Sequence, residues 1–478
     1  MGMYPLSLLE SRVAAQGMEL CIDSRKATPG CVFVALPGSS ADGSQFIADA
    51  VARGAGYVVC RPESAGNCGE AEVVDCADPR QALGLLARAR YGTASLPFPV
   101  VGVTGTNGKT TTTYLLDHLF ASAGKKTGVL GTVSYRWPGH HEDAPMTTPD
   151  CLDVHTMLAD MRAAGVDMAF MEVSSHALDQ YRIGNIHYDV AVFTNLTQDH
   201  LDYHKTMENY YQAKKMMFDE CDYALINTDD EYGRRIFSEI SCKKERYGIS
   251  SEADYYADAI KIKSDGTSFW YCYNGKSQLV NMKMTGMFNV SNVTAAISVC
   301  LKAGLPIEDI LKAVSEYNGV KGRCEIIPTG RDFTVICDYA HTPDAVENIL
   351  KSVREYTEGR LICLFGCGGN RDAKKRPLMA KAAAKFADRL IITSDNPRDE
   401  IPEAIIDDIL AGLKDSEIPF DVVVDRTKAI HHSLKIAEKG DIIVLAGKGH
   451  EDYQVLPGNE HIHFDEREIV SEGLKLID

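Results

Sequence analysis

The chain is 478 residues long, 45% hydrophobic and 24% charged, with a formal net charge of −17. Single cores stop growing near ~250–300 residues, so several domains are expected, and no run approaches the ~18 apolar residues that span a bilayer. The acidic balance excludes generic nucleic-acid binding, which needs a basic footprint, and the opening residues lack the basic and apolar segments of a secretory signal.

The 14 cysteines are scattered, with no CxxC spacing, and read as buried reduced thiols of a cytoplasmic protein. Short strands at 31–36, 56–60 and 72–76 alternate with helices at 46–53 and 79–91, a small α/β domain over 1–95. A Pro-containing linker at 93–99 follows. A strand at 100–103, a helix at 110–123 and a strand at 126–130 then make a βαβ unit with parallel strands. Further strands are expected at 168–173, 190–193 and 223–227, with a helix at 207–221. The stretch 266–284 carries Asn274-Gly275 between alternating apolar residues and predicts an inserted β-hairpin. Helices at 295–305 and 307–317 lead to a boundary near 325. Strands at 334–337, 361–365, 389–393, 421–424 and 441–446 then describe a doubly wound, Rossmann-like sheet. The expected fold is therefore α/β in three domains, 1–95, 96–325 and 326–478.

Between the first strand and helix of the second domain lies Gly105-Thr106-Asn107-Gly108-Lys109-Thr110-Thr111. It misses the strict GxxxxGK[ST] pattern, because Val103 stands at the first glycine position, but the chemistry survives. Glycines let backbone N–H groups converge, the helix N-terminus adds positive potential, Lys109 can bridge phosphates, and Thr110 or Thr111 can reach Mg²⁺. Ligands of parallel sheets sit at the carboxyl ends of strands. Two such ends are polar: Glu172-Val-Ser174-Ser-His176 and Thr194-Asn-Leu-Thr-Gln-Asp199-His200-Leu-Asp202. Glu172 and His200 are the candidate metal ligands. By pattern alone Lys214 is a solvated helix lysine, and His431-His432 and His461-Ile-His463 are solvated surface.

These motifs, with Tyr339-Ala-His341-Thr-Pro-Asp344 and Asp395-Asn396-Pro397-Arg398, occur in one order along most of the chain and resemble the Mur ligase family. The resemblance implies an N-terminal uridine-binding domain, a central ATPase domain and a C-terminal amino-acid domain. It further implies Mg·ATP-driven amide formation through an acyl phosphate, with meso-diaminopimelate added to UDP-MurNAc-L-Ala-D-Glu. It reverses the reading of Lys214, which matches the family's carbamylated lysine, an N6-carboxylysine able to help hold a second Mg²⁺. Lys109, Glu172, His200 and Lys214 are thus the implied catalytic set, with Thr110 also on the metal side. The resemblance places Asn289 and Asn292 at the adenine, and Arg323, Asp338 and His341 on the nucleotide side.

Ser24, Ser39, Ser40 and Ala41 resemble uridine-site positions. Thr147, Thr148, Ser174, Gln180 and Arg182 resemble those around the muramyl peptide, although Met146 departs from the asparagine of some members. Arg371, Asp395, Asn396, Pro397, Arg398, Gly447 and Glu451 correspond to the diaminopimelate site, where a guanidinium can grip the distal carboxylate that lysine lacks. A monomer with no nucleic-acid or membrane partner is expected. Addition of L-lysine instead, or a nucleotide-binding regulator without turnover, are the alternatives.

Overall fold

The computed structural model describes residues 4–38, 42–263 and 266–477. Ser39, Ser40 and Ala41 lie outside them. The chain forms two compact units, Met1–Arg246 and Tyr247–Asp478.

The first unit opens with helix Leu6–Gln16 and a four-stranded parallel sheet, Leu20–Cys21, Val32–Val34, Tyr57–Cys60 and Glu72–Asp75 in that order. Helix Pro79–Tyr91 starts at a proline behind an Asp78 cap and ends at left-handed Gly92. It buries Leu83, Leu86 and Ala87 against this sheet. A second sheet follows, with parallel strands in the order Cys221–Asn227, Tyr188–Phe193, Val100–Thr104, Met168–Glu172 and Thr127–Leu130. Every residue of Val100–Thr104 and Met168–Glu172 is buried, as parallel strands covered on both faces require. Ser134–Trp137 and His140–Asp143 extend the sheet as an antiparallel hairpin that the sequence pattern did not announce.

The buried His155, on helix Cys151–Ala163, ties the segment after helix Pro79–Tyr91 to the loop before strand Tyr188–Phe193. Its Nε2 donates to Gly184 O at 2.9 Å, so the ring is the Nε2–H tautomer and Nδ1 accepts the Thr93 hydroxyl at 2.5 Å. Burial pulls its pKa from 6.5 to about 4. Between those values the unfolded chain takes up a proton that the folded chain refuses, so stability falls as pH drops through this window, by about 3 kcal/mol at full protonation of the unfolded state. Thermal melting followed from pH 7 to pH 4 should fall more steeply for the wild type than for His155→Gln; parallel curves would refute this.

The second unit contains the expected Asn274-Gly275 hairpin, Gly266–Tyr273 with Lys276–Met282, and a further antiparallel partner, Tyr255–Lys263. Helices Met287–Lys302 and Ile307–Glu316 lead to a six-stranded sheet ordered Glu325–Ile327, Thr334–Asp338, Ile442–Ala446, Leu361–Phe365, Arg389–Ile392 and Phe420–Val422. Only its first strand is antiparallel. Helices cover both faces, with separate cores around Phe365 and around Ile443. All 14 cysteines are free thiols, and all but Cys76 and Cys242 are buried. Among the described residues no helix is long and apolar enough to cross a membrane.

Candidate active site

Strand register brings the polar strand ends of the first unit together. Glu172 pairs with Val103 and Phe193 with Thr104, so three adjacent parallel strands release their chains at one level. From the middle strand the loop 105–108 turns into helix Lys109–Ser122. Gly105 has φ +150°, and a Cβ there would lie 1.8 Å from Thr194 Oγ1; no larger residue fits so close an approach.

The neighbouring strand end holds the loop in shape. Thr106 N donates to Asn195 O (2.8 Å), Asn107 N to Asn195 Oδ1 (2.9 Å), and Thr194 Oγ1 to Asn107 O (2.6 Å). Lys109 Nζ donates to Gly105 O and Thr106 O, both at 2.9 Å. Lys214 Nζ donates to the same Gly105 O at 2.8 Å. Lys214 is only 1% exposed, which corrects its reading as a solvated helix lysine. Burial, aided by the Lys109 charge, holds its pKa well below the usual lysine range.

Glu172 is fully buried. Its Oε2 accepts Thr110 Oγ1 at 2.8 Å and Thr132 Oγ1 at 2.9 Å, and its Oε1 accepts Thr132 N at 2.8 Å. Among the described residues no basic group stands within ion-pair distance of this carboxylate. A buried carboxylate partnered only by hydroxyl and amide donors fits a hard divalent cation. Thr132 was missed from the sequence, although Gly131-Thr132 at a parallel strand end offered the signal. His200 sits at φ +52°, with Nε2 3.4 Å from Asp199 Oδ2 and its ring edge-on to His176 at 4.8 Å. Burial pushes its pKa down to about 4 despite Asp199, so the imidazole is neutral at pH 7, the form that binds metal.

The residues that the resemblance assigns to the muramyl peptide adjoin this group. Thr148 Oγ1 donates to Glu172 O (2.8 Å) and Thr147 Oγ1 lies 3.1 Å from Thr132 Oγ1. Ser174 Oγ caps the next helix through Ala177 N. Arg182 grips Gln180 Oε1 at 2.7 and 3.0 Å and reaches Met146 Sδ at 3.2 Å, so the sulfur supplies a weak acceptor there. Ser24 is buried in a turn capped by Asp23.

In the second unit, Asn289 Nδ2 donates to Thr285 O at 2.8 Å, and Asn292 follows one turn on, also buried. Arg323 lies over the Tyr339 ring at 4.9 Å. Asp338, at a strand end, accepts Cys324 N and Ala340 N at 2.7 and 2.9 Å, and burial raises its pKa. His341 Nδ1 meets Tyr339 O at 2.8 Å.

The loop Asp395–Arg398 follows the strand Arg389–Ile392 and is strapped to the strand Tyr453–Leu456. Gln454 Nε2 donates to Asp395 O, Val455 N to Asn396 Oδ1 (3.0 Å), and Arg398 N to Val455 O (3.1 Å). Arg398 is held at φ +50°, unusual for a side-chain-bearing residue and a mark of functional sites, and its Nη1 donates to Gly369 O at 3.0 Å. Gly447 has φ +121°, and a Cβ there would lie 2.8 Å from Asp395 Oδ2. Glu451 accepts Asn396 Nδ2 at 3.1 Å and Tyr339 OH at 3.5 Å, while Arg371 is exposed near Gly368. His461 and His463 are exposed as expected; His431 is not solvated surface, for it packs on Gly473 with Nε2 buried.

Comparison with known proteins agrees with this geometry. Residues 103–300 match the Mur ligase middle domain, 322–449 the Mur ligase glutamate ligase domain, and 19–91 the Mur ligase family catalytic domain. A relative from Lawsonia intracellularis named UDP-N-acetylmuramoyl-L-alanyl-D-glutamate–2,6-diaminopimelate ligase is 46% identical over 94% of this chain and 95% of its own. A Clostridium acetobutylicum relative with the same name, numbered 1, is 43% identical over 95% and 94%. A solved structure of that ligase superposes with TM-score 0.71 at 34% identity, covering 96% and 94%. The chain belongs to the Mur ligase family.

Proposed function

We propose that this chain is an ATP-dependent ligase that joins meso-diaminopimelate to UDP-MurNAc-L-Ala-D-Glu during cytoplasmic peptidoglycan precursor synthesis. The observation that carries this reading is the strapped loop Asp395–Arg398. It offers a guanidinium for a carboxylate on the same loop whose Asn396 bonds Glu451, an acceptor for an ammonium. Relatives named for that reaction, alike over nearly the whole chain, support it. Residues 1–95 would hold the UDP end through Ser24, Ser39, Ser40 and Ala41, residues 96–325 ATP, and residues 326–478 the amino acid.

The phosphate loop with Lys109 would hold the phosphates of ATP, and in the second unit Asn289, Asn292, Arg323, Asp338 and His341 are the nucleotide-side positions that the resemblance implies. Thr110, Glu172 and His200 would hold Mg²⁺, which when bound neutralises charge around the transferring phosphoryl group. Thr147, Thr148, Ser174, Gln180 and Arg182 would orient the dipeptide so that its terminal carboxylate oxygen attacks the γ-phosphorus and ADP departs. The amine nitrogen then attacks the acyl carbon, phosphate leaves with its bonding pair, and the nitrogen sheds a proton. Lys214 is suited to carbamylation because burial disfavours its ammonium form. The neutral amine adds CO₂ and releases one proton, and the resulting anion would help hold a second Mg²⁺.

Incubation with UDP-MurNAc-L-Ala-D-Glu, Mg·ATP and either amino acid tests the reading. ADP and a UDP-linked tripeptide should form with diaminopimelate and not with lysine at equal concentration. Preference for lysine would overturn the specificity, and no substrate-dependent ADP release would leave a nucleotide-binding regulator. A single monomeric species is expected throughout.

A further inference from the structure

Beneath the groups that would meet the incoming amino acid lies one buried cation. Lys448 is 0% exposed and follows Gly447 at the carboxyl end of the strand Ile442–Ala446. Its Nζ donates to Asn396 Oδ1 and to Tyr453 O (2.8 Å), and stands 3.3 Å from Asp395 Oδ1 and 3.4 Å from Glu451 Oε2. An ammonium has three hydrogens. Two are committed to Asn396 and Tyr453, and the third faces the two carboxylates.

The other buried cation of this region is already matched. Arg426 pairs with the fully buried Glu466 at 2.7 Å and gives its remaining donors to Ala446 O (2.9 Å) and Ser394 O (3.5 Å). Arg426 also acts on Asp395 through space, but among the described residues Lys448 is the cation within ion-pair distance of both Asp395 and Glu451, and the formal charges of Lys448, Arg426, Asp395, Glu451 and Glu466 leave the cluster one negative charge. That is the charge an arriving ammonium would neutralise. Lys448 also fixes the amide plane of Asn396, whose Nδ2 then points its hydrogen at Glu451 Oε2.

We propose that Lys448 is a positioning and specificity residue of the amino-acid site: it orients Asn396 and Glu451 and leaves the cluster the single negative charge that a substrate ammonium completes. The proposal rests on the ligase reading above. Without Lys448, Asp395 and Glu451 would keep no cation within ion-pair distance, and Glu451 would lose one direct partner and the group that orients the other, Asn396.

The test compares steady-state constants of wild type, Lys448→Met, Glu451→Gln and the double variant, with thermal melting of each. Lys448→Met should raise KM for diaminopimelate about 10- to 100-fold, the scale of losing a hydrogen bond to a charged group, while KM for ATP stays within about twofold of wild type. Because Glu451→Gln removes one carboxylate charge, adding Lys448→Met to it should raise KM far less than in the wild-type background. Additive effects, a parallel rise in KM for ATP, or an unchanged KM would overturn the proposal. If Lys448→Met shows no cooperative melting, Lys448→Gln, which keeps two donors without the charge, takes its place under the same criteria. Wild type that cannot use diaminopimelate would sink the ligase reading itself; wild type that uses it, with KM unmoved by Lys448→Met, sinks only the role of Lys448.

Discussion

Lys214→Ala is expected to lower ADP-forming turnover on the order of a thousandfold, about 4 kcal/mol of transition-state stabilisation, with the fold retained. Retention follows from the surroundings. The side chain's hydrogen bond goes to Gly105 O, which keeps Lys109 as a donor, and its burial disfavours the charged form. Deleting it removes a group that sits uneasily in the core, so the melting temperature should shift by a few degrees at most. Loss of turnover then has to come from chemistry. If the working form is a carbamate, wild type depleted of CO₂ should regain activity on adding bicarbonate, and Lys214→Ala should regain part of it with millimolar formate or acetate, which return an anion to the space. Full activity of Lys214→Ala would exclude the proposed role, and an inactive variant that no longer melts cooperatively would refute the retained fold.

Lys214 also shows what the sequence could and could not say. In helix Met207–Lys215 the buried residues are Tyr210, Tyr211, Ala213 and Lys214, and Tyr210, Ala213 and Lys214 have the i, i+3, i+4 spacing of a single face. The lysine lies on the apolar stripe, and that position was readable, but residue type outweighed it until the family resemblance intervened. The strand ends at Glu172 and Thr194 were legible because each closes a run of apolar residues with an oxygen ligand. The strand Tyr255–Lys263 was not, because a bulge between Asp258 and Lys261, with Ala259 at φ +47°, breaks its alternation. Lys448 was invisible for a different reason. Its partners Asp395 and Asn396 lie about fifty residues away in sequence and meet it only through strand pairing, which no local periodicity encodes.

Arg398→Ala is expected to raise KM for diaminopimelate about 100-fold, close to 2.7 kcal/mol, as for loss of a two-bonded guanidinium–carboxylate contact, with KM for ATP within about twofold. The preference for diaminopimelate over lysine should collapse, because lysine has no distal carboxylate to lose. One complication is structural: Arg398 holds φ +50°, which alanine adopts at a cost of about 1 kcal/mol and glycine almost freely. Comparing Arg398→Ala with Arg398→Gly therefore separates the guanidinium from the loop. Equal KM values for the two variants assign the loss to the guanidinium, whereas a glycine variant near wild type would mean that backbone shape, not charge, selects the amino acid. Arg398→Lys should recover only part of the affinity, since an ammonium cannot present two parallel donors to one carboxylate. Full recovery by lysine would show that net charge suffices and would remove the geometric basis of the specificity.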